Sequence, residues 1–564
     1  MKLFVHNLNE RLQLILIGAV VGIGGGIASV ALDRSLEWGA EFLHPYRGHW
    51  YSLFLPACGA ALAIVFLLYV AKDIGGHGVP EVIYSVSRRG GLLRLRSSFS
   101  RLVSCALTIA SGGSAGPEGP VVISGGSVAS NIASFFRLRD RQRIVLVGGG
   151  AAAAIASIFN APVAGIAFSL EAIMGEWTPT NLVTIGVASA VGTEVSRLLQ
   201  GNQIPFEGQP FIISDLDLLG CLGLTVFTSF ASVFFIRLLR YVRDISARAV
   251  SVSWLRAALG GLLVGLIGLL FPSVMGEGYG PIRTVIGGSF SQGLAIAGLV
   301  ALAKIVATSL SIGTGGIGGI FAPCLVIGSF VGLFYQRLLV YVLPSIHWAG
   351  EPYFALVGMA GVISSVLQAP MTGIFLITEI TGGYEVLLSV LLVSVISATL
   401  SHIFEPFSVY HQELVAHGEL LRPRTDRKVL SELSISELLD HNYKEIPPEM
   451  KLREFVELVK QYPGHFFPVV DQTSKKYMGF IYCDEIRSYL FYSNLYDTLL
   501  VEELIDPSVP TISLDDDLTE VLDMFDYSGY STLPVVHDGK LLGVISKATI
   551  LDHYRKELIV EEEI

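Results

Sequence analysis

The stretch Gly116-Pro117-Glu118-Gly119-Pro120 decides how this chain is read. It places one acid between glycines and prolines in an otherwise apolar region, with Leu102–Ala110 upstream and Val121–Ser124 downstream. A carboxylate at membrane depth is costly and is kept for a pathway or a proton relay. Glycine and proline break a helix and leave backbone N–H groups without intrahelical partners. Such groups at a helix start attract anions. Glu118 is therefore expected to sit in an anion site, as a built-in competitor for the anion. The plainer reading is a charged residue on a water-exposed loop.

The same design returns about two hundred residues later. Gly318-Gly319-Ile320-Phe321-Ala322-Pro323 also precedes an apolar run, with Pro120 and Pro323 separated by 203 residues. Asn160-Ala161-Pro162, followed by Glu171, matches Gln368-Ala369-Pro370, followed by Glu379, with the same spacing from Ala-Pro to the acid. A weaker third pair sets Gly76-His77-Gly78 against Gly278-Tyr279-Gly280. Three ordered matches in two apolar halves indicate a duplication, parallel or inverted. In transporters, paired Gly/Pro-interrupted segments mark a binding site near the bilayer midplane.

Composition agrees. Of 564 residues, 52% are apolar and 15% charged, the balance of a multi-spanning membrane protein. Candidate spans are 12–32, 51–71, 143–158, 216–240, 254–272, 295–312, 326–343, 353–367 and 384–404. Residues 1–424 carry a net charge of +3 and residues 425–564 one of −14. Arginines cluster at 88–101, 137–143 and 237–248, and again at Arg422, Arg424 and Arg427 beside Lys428, which puts these loops and the tail on the cytoplasmic side. They flank spans and carry no aromatic stacking platform, so nucleic acid is not an expected partner. The five cysteines are scattered without metal or redox spacing, and no metal is expected.

After Arg427 the texture changes to short strands and amphipathic helices. Phe467-Pro-Val-Val470 repeats as Leu533-Pro-Val-Val536 at an offset of 66, and Gly479-Phe-Ile481 repeats as Gly543-Val-Ile545. Each unit reads strand–helix–strand–strand–helix, an α/β module. The pattern resembles the CBS domain, with one copy at 425–492 and a second at 493–564. Such domains pair back to back and often bind adenine nucleotides. The family's ribose-binding pattern needs a glycine, a Ser/Thr three later and an Asp six later. Here it reads Gly479, Tyr482, Glu485 and Gly543, Ser546, Thr549, so Ser546 alone fits and the Asp is absent from both.

The membrane part, roughly residues 10–415, resembles the CLC family of chloride channels and chloride/proton exchangers. The resemblance rests on Gly76-His-Gly-Val-Pro80, Gly116-Pro-Glu-Gly-Pro120, Gly319-Ile-Phe-Ala-Pro323 and Tyr410. It implies an all-α polytopic fold of two inverted repeats, 10–200 and 215–412, built of tilted and broken helices. It also implies a homodimer with one pore per subunit, and no cofactor. By position Glu118 matches the gating glutamate. His77, Gly78, Gly116 and Gly119 match the anion-site loops, Ile320 and Phe321 would offer backbone N–H groups, and Tyr410 would offer a hydroxyl. The plainer reading of Tyr410 is an interfacial anchor.

Two positions depart from the family pattern. His77 stands where a serine commonly contacts the anion; its ring either donates to the anion or swings away, leaving backbone alone. Ala172 stands where exchangers commonly carry the inner proton acid, and alanine has no titratable group. Glu171 recurs as Glu379, which suits a structural residue. These features point to a voltage- or pH-gated chloride channel gated by Glu118 and modulated by the tail. The alternative is a chloride/proton antiporter with a non-standard inner proton route. A CBS-regulated divalent-cation channel would need carboxylate rings that the spans lack, and no nucleophile–base pair suggests an enzyme.

Truncation after Arg424 is expected to leave the chloride/nitrate permeability ratio unchanged while altering gating, measured from reversal potentials. Calorimetric titration of the full chain with ATP is expected to give no tight binding.

Overall fold

The structure, a computed structural model, describes residues 10–46, 49–73, 78–202, 206, 211, 213–416, 433–462, 464–483, 486, 489 and 492–554. Gly76, His77, Glu485, the Arg422–Lys428 cluster and the boundary expected at 424/425 lie outside the described residues. The chain divides into two compact units, Met1–Leu420 and Leu421–Ile564.

In the first unit the duplication is visible helix by helix. The first half supplies α1 (Glu10–Leu43), α2 (Leu55–Val65), α3 (Val79–Arg88), α4 (Ser97–Ala110), α5 (Glu118–Phe135), α6 (Asp140–Phe159), α7 (Pro162–Phe168) and α8 (Pro179–Gln200). The second supplies α9 (Asp215–Ala249), α10 (Ser253–Leu270), α11 (Tyr279–Ile286), α12 (Leu294–Gly313), α13 (Phe321–Val342), α14 (Glu351–Leu367), α15 (Pro370–Thr381) and α16 (Leu387–Phe404), followed by α17 (Val409–Ala416). Helix α6 ends on Asn160 (φ 53°) and α14 on Gln368 (φ 53°), both left-handed, before Ala-Pro starts the next helix. Proline at the first helical position suits a restart, because its missing N–H would have had no partner there.

Among the described residues nine helices are long and apolar enough to cross a membrane. Their polarity is turned inward. On α9, Val226 and Phe230 are 60% and 74% exposed, while the buried Thr228 and Ser229 hydroxyls bond Ser397 Oγ (2.8 Å) and Ser397 O (3.1 Å). Apolar residues face outward because the surroundings are hydrocarbon, and inward polar groups tie helices together. Small residues do the rest: a Cβ on Gly125 of α5 would come within 2.2 Å of Gly150 O on α6, and one on Gly328 of α13 within 2.6 Å of Gly358 O on α14.

The spans differ from expectation in several places, α9 running on to Ala249 rather than stopping at residue 240. The first runs on to Leu43 rather than stopping at residue 32, because Asp33 accepts a bond from Gln200 Nε2 (2.5 Å) and does not end the helix. Helix α8 was not anticipated. Its Ser189, Thr193 and Ser196 lower the hydropathy, yet their hydroxyls are absorbed by Pro162 O, Ser189 O and Ser157 O. The expected span 353–367 is the 17-residue α14, buried along its length in the bundle interior.

The Ala-Pro motifs explain their acids. Glu171 follows α7 and accepts from Met371 N (3.1 Å), Thr372 N (2.9 Å) and Thr372 Oγ1 (2.9 Å) at the start of α15. Glu379, on α15, accepts from Val163 N (3.0 Å) and Ala164 N (2.8 Å) at the start of α7. Each half caps the other's broken helix, a favourable place for a carboxylate because helix N-termini carry partial positive charge.

The second unit repeats at smaller scale. Helix α18 (Leu452–Gln461) precedes an antiparallel pair β1 (Phe466–Val470) and β2 (Tyr477–Tyr482); α19 (Leu518–Ser528) precedes β3 (Thr532–His537) and β4 (Lys540–Ser546). The leading strand expected in each copy is reduced to one parallel bridge, Ile446 with Val469 and Ile512 with Val535. The copies exchange chain starts, Asp440 pairing with Val544 and Asp506 with Phe480.

Replacing Glu171 by alanine leaves three donors of α15 without their acceptor. The expected loss is about 2–3 kcal/mol of stability, read as a lower midpoint of thermal unfolding in detergent.

Candidate functional site

Glu118 opens α5 and Phe321 opens α13, so the N-termini of two equivalent helices meet. The loops before them are stitched backbone to backbone: Gly116 N donates to Gly319 O (2.8 Å) and Gly319 N to Gly116 O (2.6 Å). Both glycines are required by the acid. A Cβ on Gly116 would lie 2.0 Å from Glu118 Oε2, and one on Gly319 2.8 Å from the same oxygen. The carboxylate folds back into the cradle that the two loops form.

Glu118 is 1% exposed. Its Oε1 accepts from Ala322 N (2.9 Å), an N–H in the first turn of α13, and from the Tyr279 hydroxyl (3.3 Å). Oε2 has no partner among the described residues. The water-exposed-loop reading is thereby corrected: the loop is buried in protein and the acid occupies the donors of the opposite half. The N–H that reaches it belongs to Ala322, while Ile320 and Phe321 form the entrance to the helix.

A cavity of about 1000 Å³, counting its open mouth, approaches this point from one side. Gly78, Gly119, Ile320 and Tyr410 all line it, together with Arg101, Arg243 and Arg256. Tyr410 is buried, its ring meets Phe168 edge to face (6.5 Å), and its hydroxyl has no partner among the described residues. That corrects the interfacial-anchor reading: the hydroxyl is buried and unpartnered on the wall that Gly119 and Ile320 share, and an unpartnered buried polar group calls for an explanation. Phe321 packs against Phe159 (5.1 Å) and Phe168 (6.0 Å) and is not among the residues lining this cavity.

A second cavity, about 850 Å³ with its mouth, is lined by Asp33, Glu37, Ile109, Ala110 and Met275 to Pro281. The two share no lining residue. They lie at opposite ends of α4, where Arg101 lines the first and Ile109 and Ala110 the second, eight residues or roughly 12 Å along a helix. The counterparts of Ile109 and Ala110 at the 203 offset, Ile312 and Gly313 at the end of α12, line the first cavity. Equivalent helices end on opposite sides, so the repeats are inverted. The first cavity is lined by Arg101, Arg243, Arg256 and one acid, Glu413, the second by Asp33, Glu37 and Glu277, and Glu118 stands between them.

Ala172 is buried in a π-helical turn, Ser169–Met174, that continues α7. It is not among the residues lining either cavity. Ser546 uses its hydroxyl locally, bonding Thr549 Oγ1 (2.8 Å) and accepting from Thr549 N (3.0 Å). Sequence reading passed over two residues. Lys304 is a lone lysine in the apolar α12, and an intramembrane charge is itself the signal. It is fully buried and donates to Val274 O and Gly276 O, both at 3.0 Å. Tyr279 was visible only as the partner of His77 in the weakest repeat pair.

Comparison with known proteins agrees with this architecture. The family described as voltage gated chloride channel matches residues 59–402, and the CBS domain matches residues 501–556. A ClcB-like chloride channel protein of Ralstonia nicotianae is 30% identical over 419 residues, 72% of this chain and 97% of its own. The H+/Cl− exchange transporter ClcA of Klebsiella pneumoniae is 30% identical over 412 residues, 69% of this chain and 85% of its own. A slow cyanobacterial Cl−/H+ antiporter has the same fold (TM-score 0.65, 23% identity, 73% of this chain and 99% of that one). A eukaryotic CLC transporter does too (0.62, 20%, 95% and 98%). The chain is a membrane transport protein and belongs to the CLC family of voltage gated chloride channels and chloride transporters.

Proposed function

We propose that this protein exchanges chloride for protons, with Glu118 as the group that anion and proton use in turn. The observation that carries the reading is the position of the Glu118 carboxylate, buried between two cavities that share no lining residue. An ionised carboxylate in that cradle occupies the donors a chloride would need. Protonation removes its charge and its claim on Ala322 N–H, so the side chain leaves and an anion enters. Chloride then meets the helix starts at Glu118 and Phe321 and the Tyr410 hydroxyl. In the first cavity Arg101 is paired with Asp73 and Glu81 and Arg243 with Glu413, which leaves Arg256, among the described residues, as the lining arginine that favours anions at that mouth. The ClcA relatives, named as H+/Cl− exchange transporters, support exchange over passive conduction.

Passive conduction, the channel expected from the sequence, is the second reading and rests on Ala172. Glu171 does not replace the missing acid, because both its oxygens are committed to α15. Under exchange the proton reaches Glu118 on that side through water in the first cavity. The cation channel falls away with membership of an anion-transporting family. The homodimer and the cytoplasmic, regulatory paired CBS tail belong to the same proposal; the mass of the detergent-solubilised protein tests the first.

In liposomes holding a chloride gradient, the wild-type protein is expected to drive protons uphill, and transport is expected to rise as pH falls. Glu118→Gln is expected to carry chloride without moving protons and with a flat pH profile. A reversal potential that stays at the chloride equilibrium value under a pH gradient would return the protein to the channel reading.

A further inference from the structure

The weakest repeat pair leaves one residue without a role. The sequence motifs pair Tyr279 with His77, whereas the helix starts pair it with Val79, each behind a left-handed glycine, Gly278 and Gly78; inversion of the repeats carries the Tyr279 loop to the second cavity while Gly78, Val79 and Pro80 line the first. Tyr279 is the first residue of α11, behind Gly278 held at φ +93°, a left-handed geometry that glycine adopts freely. Its ring meets Phe206 edge to face at 6.0 Å. Its hydroxyl donates to Glu118 Oε1 at 3.3 Å, and the same residue lines the second cavity.

The loop that carries it is fixed in place. Lys304 Nζ holds the carbonyls of Val274 and Gly276, and Gly276 N donates to Gly112 O (3.3 Å) in the first half. A buried lysine spent on two loop carbonyls is costly to keep unless the loop's position matters. Around Glu118 the other titratable groups are Glu277 on this loop, Lys304 on α12, Cys105 on α4, Cys324 on α13 and Tyr410 on α17; Asp33 and Glu37 of α1 lie in the second cavity. Of these side chains Tyr279 alone hydrogen-bonds the Glu118 carboxylate among the described residues.

We propose that Tyr279 is a positioning residue that latches the Glu118 carboxylate from the side of the acid-lined cavity. The proposal rests on the exchange reading above, because a latch has meaning only if Glu118 moves. While the carboxylate is ionised, the phenol and Ala322 N–H hold Oε1 from opposite halves of the protein. Protonation weakens both bonds and releases the side chain. The first cavity then admits chloride to the vacated donors, and the second, with Asp33, Glu37 and Glu277, is where a proton arrives from the opposite side.

The test measures chloride flux from liposomes at symmetric pH across the acid-activation range. Tyr279→Phe removes the donor and keeps the ring. It is expected to move the activation midpoint to higher pH by about one unit, the worth of one hydrogen bond to a charged group. In a Glu118→Gln background the same substitution is expected to change nothing, since no carboxylate remains to latch. Tyr279→Leu is the second variant, with the same direction of shift; a purely structural role would lower the rate equally at every pH and would overturn the latch. A Tyr279→Phe profile that overlays wild type, with Glu118→Gln flat, overturns the latch and leaves the exchange reading standing. A Glu118→Gln protein that keeps its pH response and its proton coupling overturns both.

Discussion

The architecture depends on one pair of backbone hydrogen bonds, Gly116 to Gly319 and back. They join the two halves at the point where the equivalent helices α5 and α13 begin. Everything functional is measured from there. The helix starts have N–H groups without intrahelical acceptors, the glycines leave room beside them, and the Glu118 carboxylate fills that room. A side chain on either glycine would displace the carboxylate. The close approach of two main chains thus creates both the proposed anion site and the space that the carboxylate fills.

The duplicated parts are held together by reciprocity. Glu171 of the first half caps a helix of the second, and Glu379 of the second caps a helix of the first. In the other unit Asp440 pairs with the second copy's strand and Asp506 with the first copy's. Neither half closes its own hydrogen bonds, so the native arrangement satisfies both or neither. In the membrane unit the constraint is severe, since no water is at hand to satisfy a broken helix end. This is why an intramembrane acid such as Glu171 has a structural task, while the task proposed for Glu118 is transport. The count of satisfied donors separates them: three fixed donors hold Glu171, whereas Glu118 keeps one oxygen without a partner among the described residues.

Much of this was legible beforehand. The Gly/Pro-bracketed acid, the 203-residue echo and the Ala-Pro pairs pointed to the duplication and to the candidate site, and Tyr410, Gly78, Gly119 and Ile320 line one cavity. The role of Glu171 as a repeat residue was readable from Glu379. Tyr279 was not readable as a contact of Glu118, because its bond spans 161 residues and crosses the two halves. Lys304 offered a signal, a single charge in an apolar helix, whose meaning needed the carbonyls it holds.

The sequence by itself determined the class of the protein: a duplicated, apolar, helix-broken chain with one acid at the break, followed by a repeated α/β tail. Local composition suffices for that, since helix breaking, membrane compatibility and anion affinity are properties of short segments. Only the tertiary structure decided the hand of the duplication, by ending α4 and its counterpart α12 at different cavities. It alone decided that Glu118 bonds the opposite half, and that a tyrosine behind a left-handed glycine reaches it. These depend on which of two equivalent surfaces each half turns toward the other, and sequence period is the same for either choice.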